Sequence, residues 1–297
     1  MSRSGFVALV GRPNAGKSTL LNALVGTKVA IVSDKPQTTR TRIVGVRNQP
    51  GAQIVFIDTP GIHRPLHRMN VRMVDVAVAS IGQADVVCAV VDASEAVGGG
   101  DRFFADLLTK AQAPVVLALN KIDLVEKNTL LPLMDQWSRL ATFADIVPVA
   151  ALTGDNVPQL ADVFAGHLPE GEPLYPPDYL TDQPERAYVA EIVREKLLQN
   201  TRDELPFSTA VIVDRFEEAG QRTPLKVYCS IVVDRESQKP IVIGRAGSMI
   251  KQIGTAARLE LETFFETKVY LDLRVKTKSG WREDTRVLDQ MGVRDGE

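Results

Sequence analysis

The sequence predicts an α/β fold with a doubly wound, mostly parallel sheet, followed by a smaller α+β domain. Two observations predict the sheet: a glycine-rich loop joins an apolar strand to a helix, and polar motifs follow two further apolar runs. The third observation is a proline-rich stretch at 168–184, which cannot continue a helix and after which the order of elements changes. We therefore predict domains at 1–170 and 185–297, joined by a semi-rigid linker at 171–184.

Composition indicates an ordinary globular chain of 297 residues, with 44% hydrophobic and 24% charged residues. No apolar run approaches the ~20 residues of a membrane span. Because no signal-peptide pattern is visible either, we expect a cytoplasmic protein. Cys88 and Cys229 lie in separate apolar runs and are expected to be buried thiols, not disulfide partners or metal ligands. The net charge of −2 argues against a globally cationic nucleic-acid binder but allows a local basic patch.

Residues 11–18, GRPNAGKS, fit a phosphate-binding pattern between the strand-like run 6–10 and a helix at 19–25. Glycines let successive backbone N–H groups converge on phosphate oxygens, and the helix directs its positive end at the same anion. Lys17 adds a charge on the β- and γ-phosphates, and the Ser18 hydroxyl can ligate Mg²⁺. The predicted phosphate contacts are Asn14, Ala15, Gly16, Lys17, Ser18 and Thr19.

A second motif follows a predicted hairpin, whose strands are 41–47 and 53–57 and whose turn is 48–51. The hairpin ends at Asp58, where a carboxylate beside the phosphate loop suits a group that holds Mg²⁺ through water. Gly61 can bring its N–H to a γ-phosphate because it has no Cβ. The remaining pattern predicts that residues 63–83 are first polar and then helical, with further helices at 101–112, 128–140 and 157–168, and strands at 85–91, 113–119 and 145–149.

The third motif, NKID, follows the predicted strand 113–119. The Asp123 carboxylate can accept from the ring N1–H and the exocyclic amine of guanine, a donor pair that adenine lacks. Asn120 is expected to tie this loop to the phosphate loop, and the Lys121 stem to pack over the base. Alone such a tetrapeptide is commonly a helix cap. Because ligands bind outside the carboxyl ends of strands in open α/β sheets, the three motifs together predict a guanine-nucleotide site.

In this order the motifs GRPNAGKS, PQTTR, DTPG and NKID resemble the translation-factor class of GTPases, and in particular the Era family. The resemblance implies a P-loop GTPase sheet with Mg²⁺ as cofactor and GTP as substrate. It also implies that the loop 33–43 is a switch that orders around the γ-phosphate and supplies a threonine to Mg²⁺. Thr39 is the first choice and Thr38 the second; for either, the alternative is a turn or capping hydroxyl.

Three further positions follow from the resemblance. Ala151 and Leu152 match the family's guanine-contacting loop, whereas Ala150 stands where the family usually has a serine that braces it. Ile62 replaces the glutamine with which many small GTPases orient water, so slow basal hydrolysis is expected. Asn14 matches relatives in which this side chain helps hold K⁺ between the phosphates. The alternative is that Asn14 only braces the loop.

After the prolines, Asp182 and Glu185 suggest an acidic cap and the first turn of a helix that ends near 202. Strands at 208–216 and 225–233, a GxxG loop, a long helix to about 266, a strand at 269–275 and a short final helix follow. This α-β-β-α-α-β order resembles a KH domain of the bacterial type, in which the glycines admit a nucleic-acid backbone at a helix amino end. The resemblance gives as RNA contacts Gly244, Arg245, Ala246, Gly247 and Lys251.

The local charge supports the prediction of an RNA-binding surface around the GxxG loop. Residues 181–297 carry a net charge of −1, but the window 239–282 holds nine basic against four acidic residues. Arg245 and Lys251 are the expected phosphate contacts. Trp281 either stacks on a base or covers the core, and the core is favoured. Three other cations either extend the patch or form an ordinary solvated face: Lys276, Lys278 and Arg282.

The two halves together imply a GTP-gated RNA binder. Era-like proteins bind 16S ribosomal RNA near its 3′ end and assist maturation of the small ribosomal subunit, so the resemblance implies the same partners here. We expect a monomer in the cytoplasm, with any contact with the inner face of the cell membrane peripheral. Two other classes stay open: a P-loop kinase of small molecules, and a signalling switch whose second half binds protein or membrane through the amphipathic helix at 184–202.

Overall fold

The computed structural model describes residues 2–35, 38–62, 68–201, 205–220 and 223–293. These residues form two compact units, which meet along the chain at Asp182 and Gln183. Among the described residues, none of the helices combines the length and the apolar character that a membrane-spanning segment needs.

The first unit is built on a six-stranded sheet in the order β2-β3-β1-β4-β5-β6. Neighbouring strands are parallel except β2 and β3, which form the predicted antiparallel hairpin. The strands are β1 Arg3–Gly11, β2 Ile43–Gln49, β3 Ala52–Asp58, β4 Val86–Asp92, β5 Val115–Asn120 and β6 Asp145–Pro148. The helices are α1 Lys17–Val25, α2 Arg68–Gln83, α3 Gly99–Leu108, α4 Lys127–Ser138 and α5 Val157–His167.

Alternation along the strands places apolar side chains on both faces of this sheet, as expected for strands buried on both sides. On one face, Leu9 and its neighbours pack with Leu20 of α1 and Phe164 of α5. On the other face, Val10 packs with residues of α2, α3 and α4, including Phe104 and Trp137. The predicted doubly wound α/β fold is therefore confirmed.

Helix α3 begins earlier than its pattern predicts. The sequence suggests a break at the glycine run and a helix from 101, but the helix starts at Gly99. The reason is Asp101, whose Oδ2 accepts from the N–H of Gly98 at 2.9 Å and so closes the first turn. The predicted helix at 63–83 is found as α2; residues 63–67 lie outside the described ranges.

The second unit carries a three-stranded sheet in the order β7-β8-β9, antiparallel then parallel. Helix α6 packs on α9 and β7, and the ring of its Tyr188 stacks on that of Phe264 with centroids 4.0 Å apart. The elements are α6 Glu185–Asn200, α7 Leu205–Ser208, β7 Thr209–Glu217, β8 Leu225–Val233, α8 Lys239–Ile243, α9 Ser248–Phe264, β9 Val269–Thr277 and α10 Thr285–Gln290. The predicted order of elements and the KH fold are confirmed, with the one-turn α7 added.

Three side chains that the sequence places in the core are buried in the structure. Trp281 is fully buried, and its indole N–H donates to the carbonyl of Ser208 at 2.9 Å. Cys88 and Cys229 are free, buried thiols. Burial raises the pKa of Cys229 to about 12 and that of Cys88 further, so neither carries thiolate near neutral pH.

The proline-rich stretch differs from the semi-rigid linker predicted at 171–184. Residues 169–182, which we call the strap, lie along the first unit and are hydrogen-bonded to its strands. Asp182, the expected acidic cap of α6, instead faces Arg42 with 3.9 Å between the charged groups, and α6 begins after Pro184 without a side-chain cap. Prolines exclude a helix here, but they leave backbone carbonyls free to bind a neighbouring strand.

Candidate functional site

A cleft of about 510 Å³ opens at the carboxyl edge of the sheet in the first unit. Residues from the ends of β1, β3 and β5 line it, as the strand-end rule for open α/β sheets requires. Two of the predicted residues, Ala15 and Asp58, are buried just behind its wall. The predicted residues on the wall are Asn14, Gly16, Lys17, Ser18, Thr19, Thr38, Thr39, Gly61, Asn120, Lys121, Asp123, Ala151 and Leu152.

Lys17 is held under the phosphate loop. Its side chain is buried, and its Nζ donates to the carbonyls of Gly11 at 3.2 Å and Arg12 at 3.0 Å. Burial lowers the pKa of Lys17 to about 8, and the nearby Asp58 carboxylate only partly offsets this. An anion in the cleft would therefore meet a cation that is poorly solvated and already aimed along the loop.

The buried Asp58 and Thr39 and the half-buried Ser18 form a cluster of oxygens. The Ser18 hydroxyl lies 2.6 Å from Asp58 Oδ2 and 2.8 Å from the Thr39 hydroxyl. Burial raises the pKa of Asp58, while Lys17 and the two hydroxyls act in the opposite direction. Its other oxygen, Oδ1, is buried without a hydrogen-bond partner, which is costly unless a further group binds there.

This donor set fits a hard divalent cation such as Mg²⁺, which prefers carboxylate and hydroxyl oxygens. Within the described ranges no group of three His, Cys, Asp or Glu side chains could hold a metal. A cation here would therefore take its other ligands from water and from a bound phosphate, as is usual for Mg²⁺.

The two threonines of the predicted switch have different surroundings. Thr39 is buried and bonded to both Ser18 and Asp58. Thr38 lines the cleft, and its hydroxyl donates to the carbonyl of Lys35 at 2.6 Å. Thr39 thus has the geometry of a cation ligand and Thr38 that of a turn hydroxyl. Residues 36 and 37 of this segment lie outside the described residues.

Asn120 connects the phosphate loop to the loop after β6. Its Nδ2 donates to the carbonyl of Ala15 at 2.9 Å, and its Oδ1 accepts from the N–H of Ala151 at 3.0 Å. Gly16 has φ +91°, and a Cβ there would lie 2.3 Å from the Asn120 amide nitrogen. Only glycine fits at this position, because both the backbone angle and the close approach exclude a side chain.

Lys121 and Asp123 stand at the far end of the cleft. Lys121 adopts a left-handed conformation, with φ +66°, and its ammonium pairs with Asp92. This leaves the aliphatic stem of Lys121 along the cleft wall. Asp123 follows in a one-turn helix, Ile122–Leu124, with its carboxylate exposed to the cleft.

Ala150, which stands in place of the family serine, is fully buried. Its loop is held by backbone bonds instead of a hydroxyl. The N–H of Ala150 donates to the carbonyl of Asp155 at 3.0 Å, and its carbonyl accepts from Gly154 at 2.8 Å. The Asn156 amide adds a bond to the carbonyl of Pro148 at 2.9 Å.

Two other predicted positions have clear contacts. Ile62 is buried among apolar residues, and its N–H donates to the carbonyl of Gly11 at 3.0 Å, so its side chain has no polar atom to orient water. Asn14 has φ +64°, and its Nδ2 donates to the carbonyl of Asp34 at 2.9 Å. That bond links the phosphate loop directly to the switch segment.

Sequence reasoning missed part of the wall and one ion pair behind it. Ile31 and Val32, just before the switch, and Ser33 and Asp34, at its start, also line the cleft, and the 510 Å³ cleft also includes Glu95. Arg12 of the phosphate loop has its Nη1 3.1 Å from Asp101 and 3.4 Å from Glu95. No spacing rule relates these positions, since they come together only when the strands align.

In the second unit, the GxxG loop joins α8 to α9. Gly244 and Gly247 have φ +75° and +77°, and Ala246 also has a positive φ, +50°. A Cβ on Gly244 would lie 2.6 Å from that of Met249, whereas the space around Gly247 is open. Gly247 is also the residue before α9, so the first N–H groups of a long helix are accessible there.

The predicted RNA-phosphate contacts, Arg245 and Lys251, differ from most neighbouring basic residues in their ion pairing. Six of the nine basic residues in the window 239–282 pair with acidic residues. Arg245 and Lys251 have exposed side chains, and neither has an ion-pair partner within the described part of the chain. Arg282 also lacks an ion-pair partner there, but its side chain is half-buried. Lys276 pairs with Asp214 and Lys278 with Asp284, as expected for an ordinary solvated face.

Comparison with family models agrees with the two units. Residues 6–121 match the model described as a 50S ribosome-binding GTPase, and residues 204–282 match that of the KH domain.

Comparison with individual proteins covers almost the whole chain. The chain is 50% identical to the GTPase Era of Geotalea uraniireducens, over 98% of this chain and 97% of that protein. It is 46% identical to the GTPase Era of Heliobacterium modesticaldum, over 98% and 97%.

Solved structures agree as well. An Aquifex aeolicus Era variant bound to GDP·AlF4⁻ superimposes with a TM-score of 0.94 at 41% identity, covering 98% of this chain and 99% of that one. Era in complex with MgGDPNP and nucleotides 1506–1542 of 16S ribosomal RNA superimposes with a TM-score of 0.96 at 42% identity, covering 99% and 100%. The chain is therefore a member of the Era family of GTPases, with a P-loop GTPase domain followed by a KH domain.

Proposed function

We propose that this GTPase is a GTP-gated switch that binds 16S ribosomal RNA near its 3′ end and assists assembly of the small ribosomal subunit. In the proposed cycle the GTP state permits RNA binding and hydrolysis releases the RNA. The observation that carries the proposal is that one chain joins a cleft with three converging nucleotide motifs to an unpaired, cationic GxxG loop. The related Era structure bound to MgGDPNP and 16S RNA supports the same pairing of ligands.

In the cleft, we assign phosphate binding to the loop residues Asn14 to Thr19 and to Gly61, with Lys17 as the charge on the transferred phosphate. Ser18 and Thr39 would hold Mg²⁺, and Asp58, whose Oδ2 bonds both hydroxyls, would act on the cation through water. Bound Mg²⁺ would neutralise charge that develops on the phosphates. Thr38 acts within the switch as a turn hydroxyl.

At the other end, Asp123 recognises the guanine edge and Lys121 covers the base plane. The Ala151 N–H is already bound by Asn120, so the N–H of Leu152 is the better placed backbone donor to the base. Ala151 then acts by holding the loop in contact with Asn120 instead of by its own N–H.

In the KH domain, Arg245 and Lys251 contact RNA phosphates, and the backbone of Gly244, Ala246 and Gly247 lets the strand approach the start of α9. The bases then lie in a groove beside α9 and the adjacent strand β9. This mode suits single-stranded RNA, whose unstacked bases are accessible.

We also propose that K⁺ assists hydrolysis through the side-chain oxygen of Asn14. The support is positional: Asn14 is exposed at the cleft, between the phosphate loop and the Asp34 carbonyl. With the aliphatic Ile62 after the DTPG motif, a cation would supply the electrostatic help that the side chain at 62 lacks. Equal turnover in K⁺ and Na⁺ buffers would show that Asn14 only braces the loop.

We propose that the protein acts as a monomer in the cytoplasm, where its RNA partner is, and that any membrane contact is peripheral. The alternative in which the second half binds protein or membrane depended on the amphipathic helix at 184–202. In α6 the apolar side chains of Tyr188, Val189, Ile192, Val193, Leu197 and Leu198 are buried. That helix therefore offers little apolar surface to a partner.

The test is the fluorescence anisotropy of a labelled single-stranded RNA that copies the 3′ end of 16S RNA. Protein loaded with GDP is compared with protein loaded with a non-hydrolysable GTP analogue, at low salt where phosphate contacts are strongest. We expect tight binding only with the analogue. Equal affinity in both states would overturn the gating, and no binding in either would overturn the RNA assignment.

A further inference from the structure

The strap, residues 169–182, is bound to β2 and β3, the hairpin that lies in the chain between Thr39 and Asp58. Strand β2 begins at Ile43, shortly after Thr39, and β3 ends at Asp58. A shift of this hairpin would therefore be transmitted along β2 and β3 to Thr39 and Asp58, the residues proposed to act on Mg²⁺.

Gln53 of β3 is the central attachment point of the strap. Its side chain is buried, with only 2% exposed. Its Oε1 accepts from the N–H groups of Leu174 at 2.6 Å and Tyr175 at 2.9 Å, and its Nε2 donates to the Tyr175 carbonyl and to Asn48 Oδ1, both at 2.8 Å. All four bonding positions of one amide are thus used. Breaking them would leave buried polar groups unpaired, so the attachment is rigid.

The strap also replaces a missing neighbour for β2, which is an edge strand. The Val46 N–H donates to the Leu180 carbonyl at 2.9 Å, and the Asn48 amide donates to the Pro177 carbonyl at 2.9 Å. The rings of Tyr175 and Tyr179 stack with centroids 4.6 Å apart. They pack on the apolar residues Val44, Val46, Val55 and Ile57 of the hairpin.

The chain leaves the strap at Asp182 and enters α6 at Glu185, so only two residues separate them. We propose that the strap is a working part of the nucleotide switch. Its first role is to position β2, and with it Thr39, for binding of the nucleoside triphosphate. Its second role is to transmit a conformational change of that segment to the KH domain. Gln53 is the positioning residue. The second role rests on the proposed GTP-gated RNA binding; the first does not.

The experiment compares the full-length wild type with Gln53→Ala. The matched control is Gln49→Ala, because the Gln49 amide bonds Asp162 of α5 at 3.2 Å and does not touch the strap. Affinity for GDP and for a non-hydrolysable GTP analogue is measured with fluorescent nucleotides. We expect Gln53→Ala to lower the affinity for the triphosphate analogue at least ~5-fold, which is the low end of typical coupling between sites. The affinity for GDP should stay within about twofold of the wild-type value. Gln49→Ala should keep the wild-type ratio of the affinity for the triphosphate analogue to the affinity for GDP.

RNA affinity in the two nucleotide states is the second readout, and Gln53→Ala should shrink the difference between them. If the wild type itself shows no difference, the proposed gating fails, but the nucleotide ratio still decides the positioning role. Equal weakening of GDP and triphosphate would mean that the strap is only structural support, and an unchanged ratio would mean that it does not reach Thr39; either result overturns the inference. Should Gln53→Ala not fold, Asn48→Ala is measured in the same way with the same outcomes; it removes the exposed bond to Pro177 and one of the four bonds of the Gln53 amide.

Discussion

The nucleotide cleft and the GxxG loop both point toward phosphate, but they are built in opposite ways. At the phosphate end of the cleft, Lys17, Thr39 and Asp58 are buried, and the polar groups are already hydrogen-bonded: Lys17 to backbone carbonyls, and Ser18 and Thr39 to Asp58. At the GxxG loop, Arg245 and Lys251 are exposed and unpaired within the described ranges.

The difference teaches what each site has to recognise. A small ligand that reacts needs groups held in place before it arrives, because preorganised charges in a dry site act most strongly. A long, flexible polyanion needs accessible charge, and its affinity then comes from counterion release. Substitutions in the cleft should therefore have large effects on chemistry, whereas those at the loop should have moderate, salt-dependent effects on binding.

The largest effect is expected for Lys17→Ala. It removes the buried cation under the phosphate loop and should lower kcat/KM for GTP by about 10²–10³-fold, as loss of a preorganised charge commonly does. Phosphate release measures the rate, and Lys110→Ala, an exposed lysine away from the cleft, is the control. If kcat/KM fell by less than tenfold, the charges of the cleft would be no more preorganised than those of the GxxG loop.

Asp123→Asn comes next. It exchanges a carboxylate acceptor for an amide donor, so GTP affinity should fall by about 10²-fold, near the value of a lost charged hydrogen-bond pair. Xanthosine triphosphate carries a carbonyl where guanine has its amine and should recover affinity with the variant. The comparison is made by competition against a fluorescent nucleotide. If the variant prefers neither base, Asp123 does not contact the base edge.

At the loop, Arg245→Ala and Lys251→Ala should each weaken RNA binding only about fivefold, near the ~1 kcal/mol of one exposed charge contact. Each should also reduce the slope of log affinity against log salt by about 0.7, as loss of one phosphate contact to a single strand predicts. Anisotropy over a salt series measures both, with GTP turnover unchanged. Lys276→Ala is the control, since Lys276 is already paired with Asp214 at 3.3 Å. A salt slope equal to that of the wild type would contradict the assignment.

The smallest effect is expected for Ala150→Ser, which restores the usual family residue. Backbone bonds to Asp155 and Gly154 already brace this loop, so GTP affinity should change by less than about threefold, well below one full hydrogen bond. Equilibrium titration of fluorescent GDP and GTP analogues is sufficient. A gain of tenfold or more would show that the backbone bonds do not replace the hydroxyl.

Much of the fold was predictable because the periodic apolar runs are long and the motifs stand at their ends. The order β-loop-α at residues 3–25 and the α-β-β-α-α-β order after residue 185 both follow from local pattern. Helix α3 shows where local pattern fails: its start depends on the Asp101 side chain closing a glycine turn.

The proline-rich strap shows a second limit. Prolines predicted only that no helix forms there, and the choice between a free spacer and a docked segment depends on partners far away in sequence. Those partners are Gln53 and Asn48, more than a hundred residues earlier. Neither residue belongs to any motif, so nothing in the sequence marks them.

By itself the sequence determined the α/β and KH folds, the family, and the identity of the residues that meet in the cleft, because glycine spacing and strand-end motifs follow local rules. Only the tertiary structure distinguished the surroundings of Thr39 from those of Thr38, since the Thr39 hydroxyl bonds Asp58 and that of Thr38 donates to the carbonyl of Lys35. It alone also showed that, among the described residues, Arg245 and Lys251 lack the ion-pair partners that six other cations of the window have, and that the strap is bound to β2 and β3. These outcomes depend on distances between side chains remote in sequence, which burial and hydrogen bonding set only once the chain is packed.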